Sequence, residues 1–147
     1  EPIIQQASIF AIFITLITGT AGNTGTQSLA VAIRKIGLHE EEQSFWKVLV
    51  QEGTTGLGIG LISGVVVFGI VSLWLGNIVL GGIIGFAMFA SIFVAALTGT
   101  CIPFALEKFN FDPSIASGPF ITTVNDLTSV LVYFTIVSQF ISVYLAQ

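Results

Sequence analysis

The run GTTGLGIGLISGVVVFGIVSLWL, residues 53–75, decides the fold class. It holds no charged side chain and is dominated by Gly, Val, Leu and Ile. As a helix it spans about 35 Å, slightly more than the roughly 30 Å hydrocarbon core of a bilayer. The reading extends outward in both directions. After Gly76-Asn77 a second uncharged run, about Ile78 to Leu106, predicts another span. Before the quoted run, about Ile3 to Lys35 predicts a long first span, tilted or protruding from the membrane. After Glu107–Phe111, the chain from about Pro113 to Ala146 predicts a last one. Asp112-Pro113 is a helix-start pair, Asp as N-cap and Pro in the first helical position. The expected fold is an all-α polytopic membrane protein with four transmembrane helices.

Composition agrees. Of 147 residues, 54% are hydrophobic and 8% charged, with a mean hydropathy of +0.98. A soluble domain carries about 25% charged residues. The net charge of −4 excludes the basic footprint of a nucleic-acid binder, so no nucleic-acid partner is expected. The lone Cys101 cannot form an internal disulfide or a thiolate metal site, and reads as a packed position.

All four basic residues, Arg34, Lys35, Lys47 and Lys108, fall in the first and third connectors. The positive-inside rule makes connectors 34–52 and 107–112 cytoplasmic and turns both chain ends outward, with the plasma (inner) membrane as the expected location. Residues 1–147 read as a single ion-conducting membrane domain excised from a larger protein, its upstream span and any cytoplasmic regulatory domains missing, because neither an initiator Met nor a basic leader precedes the first span. In the first connector, His39-Glu40-Glu41-Glu42 followed by Phe45 and Trp46 reads as an interfacial turn, acids in water and aromatics at the headgroups. The sharper alternative is a cation-attracting acidic patch. His39 alone makes no metal site.

Gly56, Gly60 and Gly64 repeat every four residues, as do Gly81 and Gly85, and Ala95 and Gly99; these are expected helix-packing stripes. The first span differs, because Thr18 to Ser28 is an unbroken tract of small or polar residues. Thr15, Gly19, Gly22 and Thr26 share one helical face. Asn23 and Gln27 each need several hydrogen-bond partners, which a water-lined face supplies. Gly19, Gly22, Asn23 and Thr26 are therefore candidate pore-lining residues. In the last span, Asp126 is a carboxylate at membrane depth, at a cost of about 2.5–3.5 kcal/mol on insertion scales, and such acids face a cavity or a partner. No Lys or Arg in the spans can neutralise it, so a mobile cation is the expected partner. Gly118, Thr122, Asp126 with Asn125, Ser129 and Tyr133 recur at three or four and read as one face. Asp126, Thr122 and Asn125 are candidate ion-contacting residues, with Gly118 and Ser129 lining the path. Pro119, read as lying inside the helix, would free the carbonyl of Ile115. An all-oxygen set suits magnesium, calcium or manganese.

Two segments resemble the membrane domain of the MgtE family of magnesium channels. One is Gly22-Asn23-Thr24-Gly25-Thr26-Gln27-Ser28-Leu29, continuing to Ile33-Arg34. The other runs from Asp112-Pro113-Ser114-Ile115-Ala116-Ser117-Gly118-Pro119 through Phe120-Ile121-Thr122-Thr123-Val124-Asn125-Asp126. The resemblance implies the last four spans of a five-span domain. It also implies a homodimer in lipid whose pore lies between subunits, and hydrated magnesium held by Asp126. The expected activity is selective conduction of a hydrated divalent cation. A proton- or sodium-coupled transporter is the alternative. An intramembrane protease is excluded, since aspartyl catalysis needs two acids and serine catalysis a Ser–His pair, and the spans offer one acid and no His.

Overall fold

In a computed structural model of the chain, residues 2–38 and 44–146 are described, with side chains from Ser8 onward. Four helices account for nearly all of them: α1 (Pro2–Gly37), α2 (Phe45–Leu75), α3 (Ile78–Lys108) and α4 (Pro119–Leu145), with a 3-10 turn at Pro113–Ala116 between α3 and α4. All four helices are long and apolar enough to cross a membrane, and the fold is all-helical as expected. The acidic run Glu40–Glu42 and His39 lie outside the described residues.

Two boundaries depart from the sequence reading. α2 begins at Phe45, well before Gly53, because Ser44 caps it by accepting the Lys47 N–H at 3.3 Å. Glu52, expected in a polar connector, is instead a buried helical residue. The last helix starts at Pro119 rather than Pro113. Gly118 adopts φ 65°, ψ −133°, a conformation that favours glycine, and turns the chain between the 3-10 turn and α4. Pro119 thus occupies the first helical turn, where its missing N–H removes no helical hydrogen bond. No mid-helix carbonyl is freed at Ile115, which belongs to the preceding turn. Asp112 caps that turn as expected, accepting the Ser114 N–H at 3.0 Å. This backbone hydrogen bond, with a lesser contribution from the Ser114 side chain, holds the exposed Asp112 carboxyl below the ordinary carboxylate range.

α3 is the central element. It packs against α1, α2 and α4, whereas α2 meets α1 only slightly. Accordingly, α3 is the most buried of the four helices and α4 the least. The small residues of α3 explain its position, since lipid-embedded helices associate through close packing rather than a hydrophobic gradient. Toward α2, a Cβ on Gly64 would lie 2.8 Å from the Gly85 carbonyl oxygen, and one on Gly85 2.7 Å from that of Gly64. Gly56 similarly faces Ala96. Toward α1, a Cβ on Gly99 would collide with the Gly25 carbonyl. The predicted stripes are thus real contacts. Gly58 has open space beside it.

α4 is held to α1 and α3, with Ile121, Asn125, Ser129, Tyr133, Ile136 and Val137 all buried. The fully buried Tyr133 hydroxyl donates to the Phe10 carbonyl of α1. Between α3 and α4, the Ser91 hydroxyl donates to the Ser129 carbonyl at 3.5 Å. Near the basic end, Ala116 is buried with Leu29 and Ile121, which tucks the 3-10 turn into the bundle.

Gly99→Ala forces backbone against backbone and is expected to destabilise the bundle by about 1–3 kcal/mol. Gly58→Ala is expected to be neutral or slightly stabilising, because alanine is the better helix former there. Denaturant unfolding of the purified variants in detergent checks the pair; equal stability of both would contradict the packing described.

Candidate functional site

α1 and α4 together line a groove of about 340 Å³. Its lining is Thr15, Thr18, Gly19, Gly22, Asn23 and Thr26 from α1, and Thr122 and Asp126 from α4. Local sequence explains the shape. Gly19 and Gly22 carry no side chain to fill the space, and a Cβ on Gly22 would stand 3.8 Å from Asp126 Oδ1. The carboxylate therefore lies directly over the bare backbone of α1. Asp126 is seven residues after Pro119, about 10 Å along the helix from its start.

The chemistry of the wall is oxygen-rich and oriented. The Thr26 hydroxyl donates to the Gly22 carbonyl at 2.8 Å, the Thr122 hydroxyl to Gly118 at 3.2 Å, and the Thr18 hydroxyl to Thr15 at 3.3 Å. With its proton directed into the helix, each hydroxyl has lone pairs left to accept a hydrogen bond or face a cation. Asn23 adds an exposed carboxamide on the same wall. Among the described residues no group of three His, Cys, Asp or Glu could enclose a metal. The donor set here is one carboxylate, several hydroxyls and an amide. Such a set suits a hard cation that keeps much of its water.

The structure brings together most of the residues singled out from sequence and separates three of them. Asp126, Thr122, Gly19, Gly22, Asn23 and Thr26 share the groove. Asn125 does not. It is fully buried, its amide stacked over Gly25 of α1, with no hydrogen-bond partner at either end. Ser129 belongs to the same buried seam, its hydroxyl donating to the Asn125 carbonyl at 2.6 Å. Gly118 lies at the start of α4, outside the groove, where its carbonyl accepts from Thr122. The face drawn from sequence merged two neighbours. Residues 121, 125, 129 and 133 recur at four, and so do 122 and 126, so spacing alone does not distinguish the two rows. A one-residue step turns a helix by about 100°, which places one row inside the bundle and the other outside. Thr18 completes the groove wall, although its row was less evident in the sequence than that of Thr15, Gly19, Gly22 and Thr26.

Residues 14–136 match the MgtE family, described as divalent cation transporters. The chain belongs to this family. The match covers every residue that lines the groove. Relatives named magnesium transporter MgtE include one from Enterococcus faecalis, 51% identical over 141 residues, covering 95% of this chain and 31% of the relative. One from Bacillus subtilis is 40% identical over 144 residues, covering 96% and 32%. One from Thermus thermophilus is 30% identical over 137 residues, covering 92% and 30%. The chain thus spans about a third of the length of the curated relatives it matches. Membership establishes an integral membrane protein of a transporter family.

Cysteine accessibility tests the two rows. In a Cys101→Ser background, Asp126→Cys and Gly22→Cys are expected to react readily with a membrane-impermeant thiol reagent. Asn125→Cys is expected to stay protected unless the protein is denatured. Equal labelling at positions 125 and 126 would refute the orientation of α4.

Proposed function

We propose that this chain forms the ion-conducting membrane part of a magnesium transporter, in which two copies pass a hydrated divalent cation between them. The observation that carries this reading is the exposed carboxylate of Asp126 in a polar groove, on a protein whose remaining outer surface is largely apolar. A charged carboxylate cannot face hydrocarbon, so this side of the α1–α4 pair must meet water, a partner or both. A second copy related by a two-fold axis supplies the simplest closure, because one isologous interface presents every groove residue twice. Two Asp126 carboxylates then face a shared path and attract a dication.

In this reading Asp126 provides the charge, while Thr122, Thr26 and Asn23 contact the water shell. Gly19 and Gly22 keep the path wide enough for a hydrated ion. Asn125 and Ser129 act from behind the wall, setting the angle of α4. Magnesium fits best, since it dehydrates reluctantly and is bound through one or two carboxylates; manganese and calcium share the oxygen preference. The basic end of the bundle, with Arg34, Lys35, Lys47 and Lys108, faces the cytoplasm of a plasma membrane. Conduction is preferred to coupled transport because the groove offers one acid per chain, with no separate acid for a coupling proton or sodium ion.

Asp126→Asn keeps the side-chain shape and removes the charge. Magnesium influx into proteoliposomes, followed with an entrapped indicator, is expected to fall by about tenfold or more, as loss of the site's only charge implies. Wild-type influx by a folded Asp126→Asn variant would overturn the proposal. Influx that persists only with a proton or sodium gradient would favour the coupled mechanism.

A further inference from the structure

A separate recess lies between the start of α2 and the end of α3, near the basic end of the bundle. Phe45 and Trp46 at the start of α2, and Cys101, Phe104, Ala105 and Lys108 at the end of α3, surround about 550 Å³. Phe45 stands edge-on to Trp46 and to Phe104, with ring centroids 5.2 and 5.3 Å apart. These edge-on contacts fix an aromatic wall. The lining contains one cation and no carboxylate. Among the described residues no acid forms an ion pair with Lys108.

The position along the helices matters as much as the lining. Trp46 follows the N-cap of α2 by two residues, and Lys108 is the last residue of α3. Lys108 therefore sits just past the uncharged stretch of α3, and Trp46, about 10 Å beyond the uncharged stretch of α2, lines the same recess; this is the level of the lipid headgroups. Exposed tryptophan and lysine are the side chains that settle at this level, an aromatic body toward the acyl region and an ammonium toward the headgroups. A recess with an apolar floor and a single ammonium at its rim matches a molecule with an acyl chain below and an anionic phosphate above. Basic pockets between membrane helices bind anionic headgroups by this arrangement.

We propose that this recess is a binding site for an anionic phospholipid, with Lys108 paired to the phosphate and an acyl chain lying against Phe45, Trp46 and Phe104. The site is separate from the α1–α4 groove and shares no residue with it. It stands or falls independently of the proposed ion path.

The chain's two tryptophans make the test direct. With Trp74→Phe, Trp46 reports alone. The full chain is reconstituted in phosphatidylcholine vesicles containing a minor fraction of phosphatidylglycerol brominated on its acyl chains, and Trp46 quenching is compared with that fraction. The expected result is enrichment of the brominated lipid at Trp46 by about fivefold over its bulk fraction, the scale of one basic residue beside anionic lipid. Lys108→Gln should reduce quenching to the bulk value, and Lys108→Arg should retain it. Bromination of phosphatidylcholine instead should give no enrichment, and inorganic phosphate at matched ionic strength should not displace the lipid. Quenching that follows bulk composition in the unsubstituted site, or enrichment that survives Lys108→Gln, overturns the proposal. Displacement by inorganic phosphate also overturns it, because the site would then read a free anion rather than a lipid.

Discussion

The close crossing of three helices at Gly25 is the contact on which the arrangement depends. On one side the bare Cα of Gly99 in α3 lies against the Gly25 backbone; on another the Asn125 amide of α4 covers the position where any larger residue would place its Cβ. No side chain fits between. In a bilayer, where apolar side chains gain little by turning from lipid to protein, such backbone-level contact supplies much of the association energy. It also fixes register. With Asn125 over Gly25, the next residue of α4 must fall beside Gly22, one turn earlier on α1. The carboxylate of Asp126 is placed by its neighbour's packing.

α4 therefore serves two purposes on two adjacent rows. The row of Ile121, Asn125, Ser129 and Tyr133 binds it to α1 and α3, and the Tyr133 hydroxyl closes that row on the Phe10 carbonyl. The row of Thr122 and Asp126 is left open. A helix held by so many buried polar groups keeps a defined rotation, and rotation decides whether the acid faces the groove. The fully buried Asn125 carboxamide has no hydrogen-bond partner in the bundle. Its close fit over the bare backbone of Gly25 positions it.

Glycine is used in two opposite ways. At Gly56, Gly64, Gly85 and Gly99 the missing side chain is replaced by another helix, and the position is closed. At Gly19 and Gly22 it leaves space for the groove. Spacing does not separate these uses, since both kinds recur at three or four residues. Nor do the immediate neighbours, since closed Gly99 lies between Thr98 and Thr100 just as open Gly19 lies between Thr18 and Thr20. The polar tract of α1 was recognisable as something other than packing by its unbroken length and by Asn23 and Gln27, whose amides packing alone does not explain.

The sequence alone determined the class of fold, the number of spans and the packing stripes, and it singled out Asp126 as an acid at membrane depth. These follow from properties that each residue carries with it: charge, hydropathy and length against the thickness of a bilayer. The membership of Asp126, Thr122, Gly19, Gly22, Asn23 and Thr26 in one site was legible for the same reason, because a costly carboxylate needs polar neighbours. Which row of α4 faces them was not. Asn125 and Asp126 are adjacent and both polar, and only the contact of α4 with Gly25 and Gly99 assigns one to the interior and the other to the groove. The start of α4 was also beyond the sequence, because Asp112-Pro113 and Gly118-Pro119 are both valid helix starts. The left-handed turn at Gly118 and the burial of Ala116 against Leu29 choose between them. Tertiary structure decided rotation and register, since these depend on which backbone approaches which, and no single helix contains that information.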